Sequence, residues 1–176
     1  LDEKSIDLSE YRGVSDSADG IMRLCLALSK KSEGISFEKA EIVRQQTLID
    51  YYRPWEKLDI PMSCVRTLTS SVFIGYFKEQ LSKDEILQKI ALSSPELDSI
   101  DVQVISSSQT MTAIVALCHR SDREQLENAL RENGFVKPDN PAKALPSAVI
   151  KQAEEKISAC REKIEGYELE ISSHAS

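Results

Sequence analysis

From Ile150 onward, apolar residues recur at alternating spacings of three and four: Ile150, Ala153, Ile157, Cys160, Ile164, Tyr167 and Ile171. The positions between them are mostly Glu, Lys and Arg, and Pro146 sits where a helix can begin. This is the heptad seam of a coiled coil, and a helix with so narrow a stripe is marginal until a partner helix covers it. The upstream chain offers that partner. Ile21, Leu24 and Leu28 mark a helical stripe, and Ile35, Ile42 and Ile49 continue the seven-residue beat. The other seam positions, Lys31, Glu38 and Gln45, are polar, and Gly34 and Ser36 are expected to bend or interrupt the helix. Tyr51, Tyr52, Trp55 and Leu58 broaden the apolar surface at its end. The pattern predicts an outgoing helical arm over 14–62 and a returning coiled-coil helix over 146–176. Residues 1–13 carry no firm signal and are expected to be irregular.

Between the arms, the period changes. Val72 to Phe77 is apolar on both alternations, as in a strand covered on both faces, and Val65 to Ser71 is a β-compatible extension of it. Ser82 and Glu85 form the S-x-x-E capping box of a helix striped by Ile86, Leu87, Ile90 and Ala91 and stopped at Pro95. The same sequence of signals recurs: a β-rich run from Thr112 to Cys118, a second capping box at Ser121 and Glu124, and a stripe at Leu126, Ala129 and Leu130. Gly134 supplies a left-handed stop, and Phe135-Val136 begins a short last strand. Ile100, Val102 and Val104 alternate with polar residues as a half-exposed strand. The order β-α-β-β-α-β is that of a ferredoxin-like split fold. The chain is thus expected to be α+β: a ferredoxin-like lobe over 63–145, flanked by a long antiparallel helical pair.

Composition agrees with a globular chain: 41% of 176 residues are hydrophobic, 29% are charged, and the net charge is −7. Charge is spread evenly, so there is no basic tract to attract nucleic acid, and no apolar run approaches the roughly 20 residues of a bilayer span. Cys25, Cys64, Cys118 and Cys160 are scattered without C-x-x-C spacing, which fits a reducing, cytoplasmic setting. The chain starts at Leu1 rather than Met, as an excised part of a longer protein would.

Candidate chemistry is sparse. No glycine-rich phosphate loop is present, and His119 and His174 are the only histidines. Cys118 and His119 are adjacent on a strand and point to opposite faces, so they cannot share one metal ion. Asp59 and Asp101 are lone carboxylates. No catalytic, metal or cofactor-binding residue is expected, and a non-enzymatic role follows. Trp55, flanked by Pro54 and Pro61, reads as a plug between arm and lobe, with a partner contact as the alternative.

The segment Pro54, Trp55, Leu58, Asp59, Ile60 and Pro61 resembles the helix-to-lobe junction in subunit I (the a subunit) of bacterial and archaeal V-type ATPases. The run from Leu130 to Phe135 is similar to that family's helix-Gly-Phe stop, and the charged heptad helix looks like its returning coil. The resemblance covers roughly residues 15–171 and implies a non-catalytic stator element on the cytoplasmic side of a membrane complex. It also implies that the lobe docks the peripheral-stalk subunits E and G, while the membrane half and its ion path belong to a part not present. The competing reading is a stand-alone ferredoxin-like module binding a small ligand or RNA. For RNA, stacking aromatics would come from Phe73, Tyr76 and Phe77, against an unfavourable net charge. Because both arms flank one lobe, pairing within the chain is favoured over pairing between chains, so a monomer is expected.

Overall fold

The computed structural model describes residues 8–174. They form two compact units: one spans Gln46–Glu154, and the other joins the segment up to Gln45 with the segment from Glu155 onward. The architecture is α+β, a lobe with a small antiparallel sheet together with long helices.

In the lobe, β1 (Ser70–Phe77), β2 (Ile100–Ser107) and β3 (Thr112–His119) form an antiparallel sheet in the order β1-β3-β2. Helix α2 (Lys83–Ser93) follows β1, and α3 (Arg123–Glu132) follows β3. Phe73, Phe77, Val102, Ile114, Ala116 and Cys118 turn to one face, where Ile86, Ile90, Leu126, Ala129 and Leu130 of the two helices complete the core. Val72, Ile74, Ala113 and Val115 point to the other face and are buried as well. A covered second face explains why the strands read as continuous apolar runs.

The fourth strand is reduced to one bridge, with Val136 paired to Tyr76 through N–H to O contacts of 2.8 and 2.9 Å. Gly75 permits that approach. A Cβ there would lie 2.4 Å from both the Phe135 ring and the Val136 carbonyl oxygen. The ring then meets Phe77 edge-on at 5.6 Å.

Two local expectations in the lobe are corrected. The chain ahead of β1 folds back instead of extending it: Val72 donates to Val65, Arg66 bridges Ser71, and the Thr67 hydroxyl accepts the Ser70 N–H. That side-chain acceptor offers the backbone a tight turn in place of a longer strand. The second capping box, Ser121 with Glu124, does not form. A 3₁₀ turn at Arg120–Asp122 moves the start of α3 to Arg123, and Asp122 becomes a cap residue without a side-chain cap bond. The His119 ring instead accepts the Ser121 N–H, and the Ser121 hydroxyl is taken up by Asp122.

Helix α1 runs unbroken over Leu8–Tyr52, and α4 over Pro146–His174. Gly34 and Ser36 therefore do not interrupt α1, and the irregular stretch expected through residue 13 is helical from Leu8; residues 1–7 lie outside the described residues. Once a helix is nucleated, each further residue costs little, so single glycines and serines do not end it. The Ser36 hydroxyl donates back to the Ser32 carbonyl within the helix. Gly34 has a packing reason: a Cβ there would stand 3.1 Å from the Tyr167 ring.

Candidate functional site: the junction and the coil seam

At the junction, α1 ends in a 3₁₀ turn, Arg53–Trp55, with Pro54 at its first positions, where a missing N–H costs nothing. Leu58 donates to the Trp55 carbonyl at 2.8 Å, and Cys64 to Pro61 at 2.9 Å, so two proline-anchored turns follow one another. They aim Trp55, which is 1% exposed, and the buried Leu58 inward, and the turn carrying Trp55 packs against β2. Pro54, Ile60 and Pro61 are half-buried, while Asp59 is exposed. The junction is therefore a hydrophobic plug with a polar rim.

Two tyrosines tie the plug to the segment leaving the lobe. Tyr51 donates to the Asp139 carbonyl, and Tyr52 accepts from the Ala142 N–H, each at 3.1 Å. Burial pushes the Tyr51 phenol above its ordinary range. Ile49, Tyr52, Ile150 and Ala153 are buried in the same unit.

Of the seam residues, Ile150, Ala153, Ile157 and Cys160 are buried, and Ile164, Tyr167 and Ile171 are half-buried. In the coil unit, the polar positions of α1 turn out to be the informative ones. Glu38, only 6% exposed, accepts from Lys163 Nζ at 3.2 Å and from the Cys160 thiol. Lys31 pairs with Glu170 at 2.8 Å. Gln45 donates to Glu41 at 2.6 Å, which leaves the Gln45 Oε1 buried without a partner. The succession Lys31 with Glu170, Gly34 with Tyr167, and Glu38 with Lys163 and Cys160 fixes an antiparallel pair in one register. The bond from Cys160, followed by that from Lys163, holds the Glu38 carboxyl below its ordinary range; the same bond pushes the Cys160 thiol up. The sequence marked these α1 positions as defects of the seam because only their partners on α4 reveal their use.

The remaining helix signals have clear places. Ser82 and Glu85 form a complete capping box: the Ser82 hydroxyl accepts the Glu85 N–H, and the Glu85 carboxylate accepts the Ser82 N–H at 2.7 Å. Gly134 has φ +85, with Gly134 N–H to the Arg131 carbonyl and Phe135 N–H to the Leu130 carbonyl, the two bonds of a Schellman stop. Two hydrogen-bonding roles in the lobe escaped the sequence reading, which saw Thr112 only as a strand start and Asn133 only as part of the helix stop with Gly134. Thr112, fully buried, donates to the Glu79 carbonyl and accepts the Leu81 N–H, closing the β1–α2 loop. Asn133 donates to Ala129 and Ser93, tying α3 to α2.

Among the described residues, no cluster of His, Cys, Asp and Glu could hold a metal, and no helix is long and apolar enough to cross a membrane. Cys118 is buried in the lobe core, and burial raises its thiol pKa. His119 is exposed at the strand end. Phe73 and Phe77 lie in the core, and Val72, Ile74, Ala113 and Val115 on the opposite sheet face, where an RNA-binding version would display its aromatics, are buried.

No family model matches the chain, and no curated protein matches it. Among solved structures, the chain is similar in fold to the cytoplasmic N-terminal domain of subunit I, homolog of subunit a, of V-ATPase. That match has a TM-score of 0.53 at 10% identity and covers 90% of this chain. The chain spans about half of that structure, 52% of its length.

Proposed function

We propose that this chain is a non-catalytic stator element of a rotary V-type ATPase. In this reading the lobe docks the peripheral-stalk subunits E and G, and the coil links the lobe toward the membrane sector on the cytoplasmic side. The observation that carries the reading is the combination of the Trp55 plug with a registered antiparallel coil, in a fold similar to the subunit I domain. A continuous helix pair resists bending, which suits a part that carries load, and nothing in the arrangement asks for turnover. The proposed division is an outgoing arm over 14–62, a lobe over 63–145 and a returning helix over 146–176. Isothermal titration of the full chain into a purified E–G heterodimer tests it. Saturable binding is expected; no heat at high concentration of both components overturns the docking role.

A further inference from the structure

Away from the junction, a second feature of the lobe remains unused. An open depression of about 550 Å³ is lined by Val65, Arg66, Ser71, Arg120 and Arg123. Three arginines therefore line one depression of a chain whose net charge is −7. Two of them are held in place by backbone carbonyls: Arg120 donates to Thr67 at 2.7 Å, and Arg123 to Val65 at 3.3 Å. Arg123 is further fixed over the Phe73 ring, 5.5 Å from its centroid. Each bond uses one of five N–H donors, so both arginines keep donors for a ligand. The Arg66 guanidinium makes no ion pair among the described residues. Ser71 lines the same depression and is 2% exposed. Of the neighbouring acids, Asp122 takes the Ser121 hydroxyl, Glu127 takes Lys137 and also feels the Arg123 charge, and Glu124 stands in the first turn of α3. The first turn of α3, without a side-chain cap, starts at the same wall.

We infer that this depression binds a phosphate group, with Arg66, Arg120 and Arg123 neutralising its charge and the Ser71 hydroxyl donating to one oxygen. A tetrahedral dianion has enough acceptors for several guanidinium donors at once, whereas a carboxylate satisfies one fork. The fold-back ahead of β1 creates the site, because it brings Arg66 beside the start of α3.

The full chain is titrated with inorganic phosphate, with acetate at equal ionic strength as the control, following arginine Nε resonances by NMR. Saturable shifts at Arg66 and Arg123 with phosphate alone are expected. Arg66→Ala should weaken binding at least ~10-fold, and Ser71→Ala by several-fold, both with an unchanged melting temperature. Cosedimentation with phosphatidylcholine vesicles, with and without phosphatidic acid, separates the sources. Capture by phosphatidic acid that Arg66→Ala abolishes assigns a lipid headgroup; phosphate saturation without capture assigns a soluble phosphorylated ligand. Absence of saturation in both arms overturns the site, as does phosphate binding that both substitutions leave unchanged.

Discussion

Replacing Gly75 by alanine tests how the lobe is closed. The added Cβ would lie 2.4 Å from the Val136 carbonyl oxygen, a backbone atom that cannot rotate away, and 2.4 Å from the Phe135 ring. Residues 135–136 must therefore leave β1. That breaks the two backbone bonds between Tyr76 and Val136 and the edge-on contact of Phe135 with Phe77. Two such bonds contribute about 2 kcal/mol together, and an aromatic pair contributes about 1. Removing a glycine from a strand returns about 0.5–1 kcal/mol, so Gly75→Ala should destabilise the chain by roughly 2 kcal/mol. Urea unfolding at an unchanged m-value measures the loss, and hydrogen exchange at the Tyr76 and Val136 amides locates it. The contrast is Gly34→Ala, where the obstacle is the Tyr167 side chain at 3.1 Å, which can slide. Its effect should be well below that of Gly75→Ala. A Gly75→Ala protein within 0.5 kcal/mol of wild type, with Val136 still protected, would refute the closure described above.

Three further outcomes are expected. Ser82→Ala removes a complete capping box and should cost about 1 kcal/mol, whereas Ser121→Ala, which caps nothing through its side chain, should cost much less in the same denaturation assay. Glu38 titrates below its ordinary 4.5 in the folded chain, so its contribution is complete above that value and is lost as pH falls through the folded value; thermal melts from pH 7 to 3 should show a shallower acid decline in Glu38→Gln than in wild type. With a thiol reagent at neutral pH, exposed Cys25 should react quickly, and buried Cys118 and Cys160 only as the chain unfolds, read from the kinetics of modification.

The parts legible in the sequence were those fixed by local rules. The heptad beat at Ile150 to Ile171 and the Ser82–Glu85 cap depend on residues a few positions apart, as does the Gly134 stop. What escaped depends on distant neighbours. Glu38 looks like a flaw in a seam until Lys163 and Cys160 are placed across from it, and Gly34 looks like a helix breaker until Tyr167 fills its side. The second capping box failed for a subtler reason: the His119 ring competes for the Ser121 N–H and turns the chain one step before the helix begins. The Arg66 cluster was invisible because Val65 to Ser71 has the composition of a strand, and only the Thr67 side chain turns it back. Trp55 was recognisable through its flanking prolines, but the strand its turn packs against, β2, lies far along the chain.

Single-particle imaging of an intact V-type ATPase carrying this chain tests the central claim most directly. The account predicts the lobe in contact with the end of a peripheral stalk, and the coil running from it toward the membrane sector. A lobe seated on the rotor, or a complex that assembles fully without the chain, would contradict it.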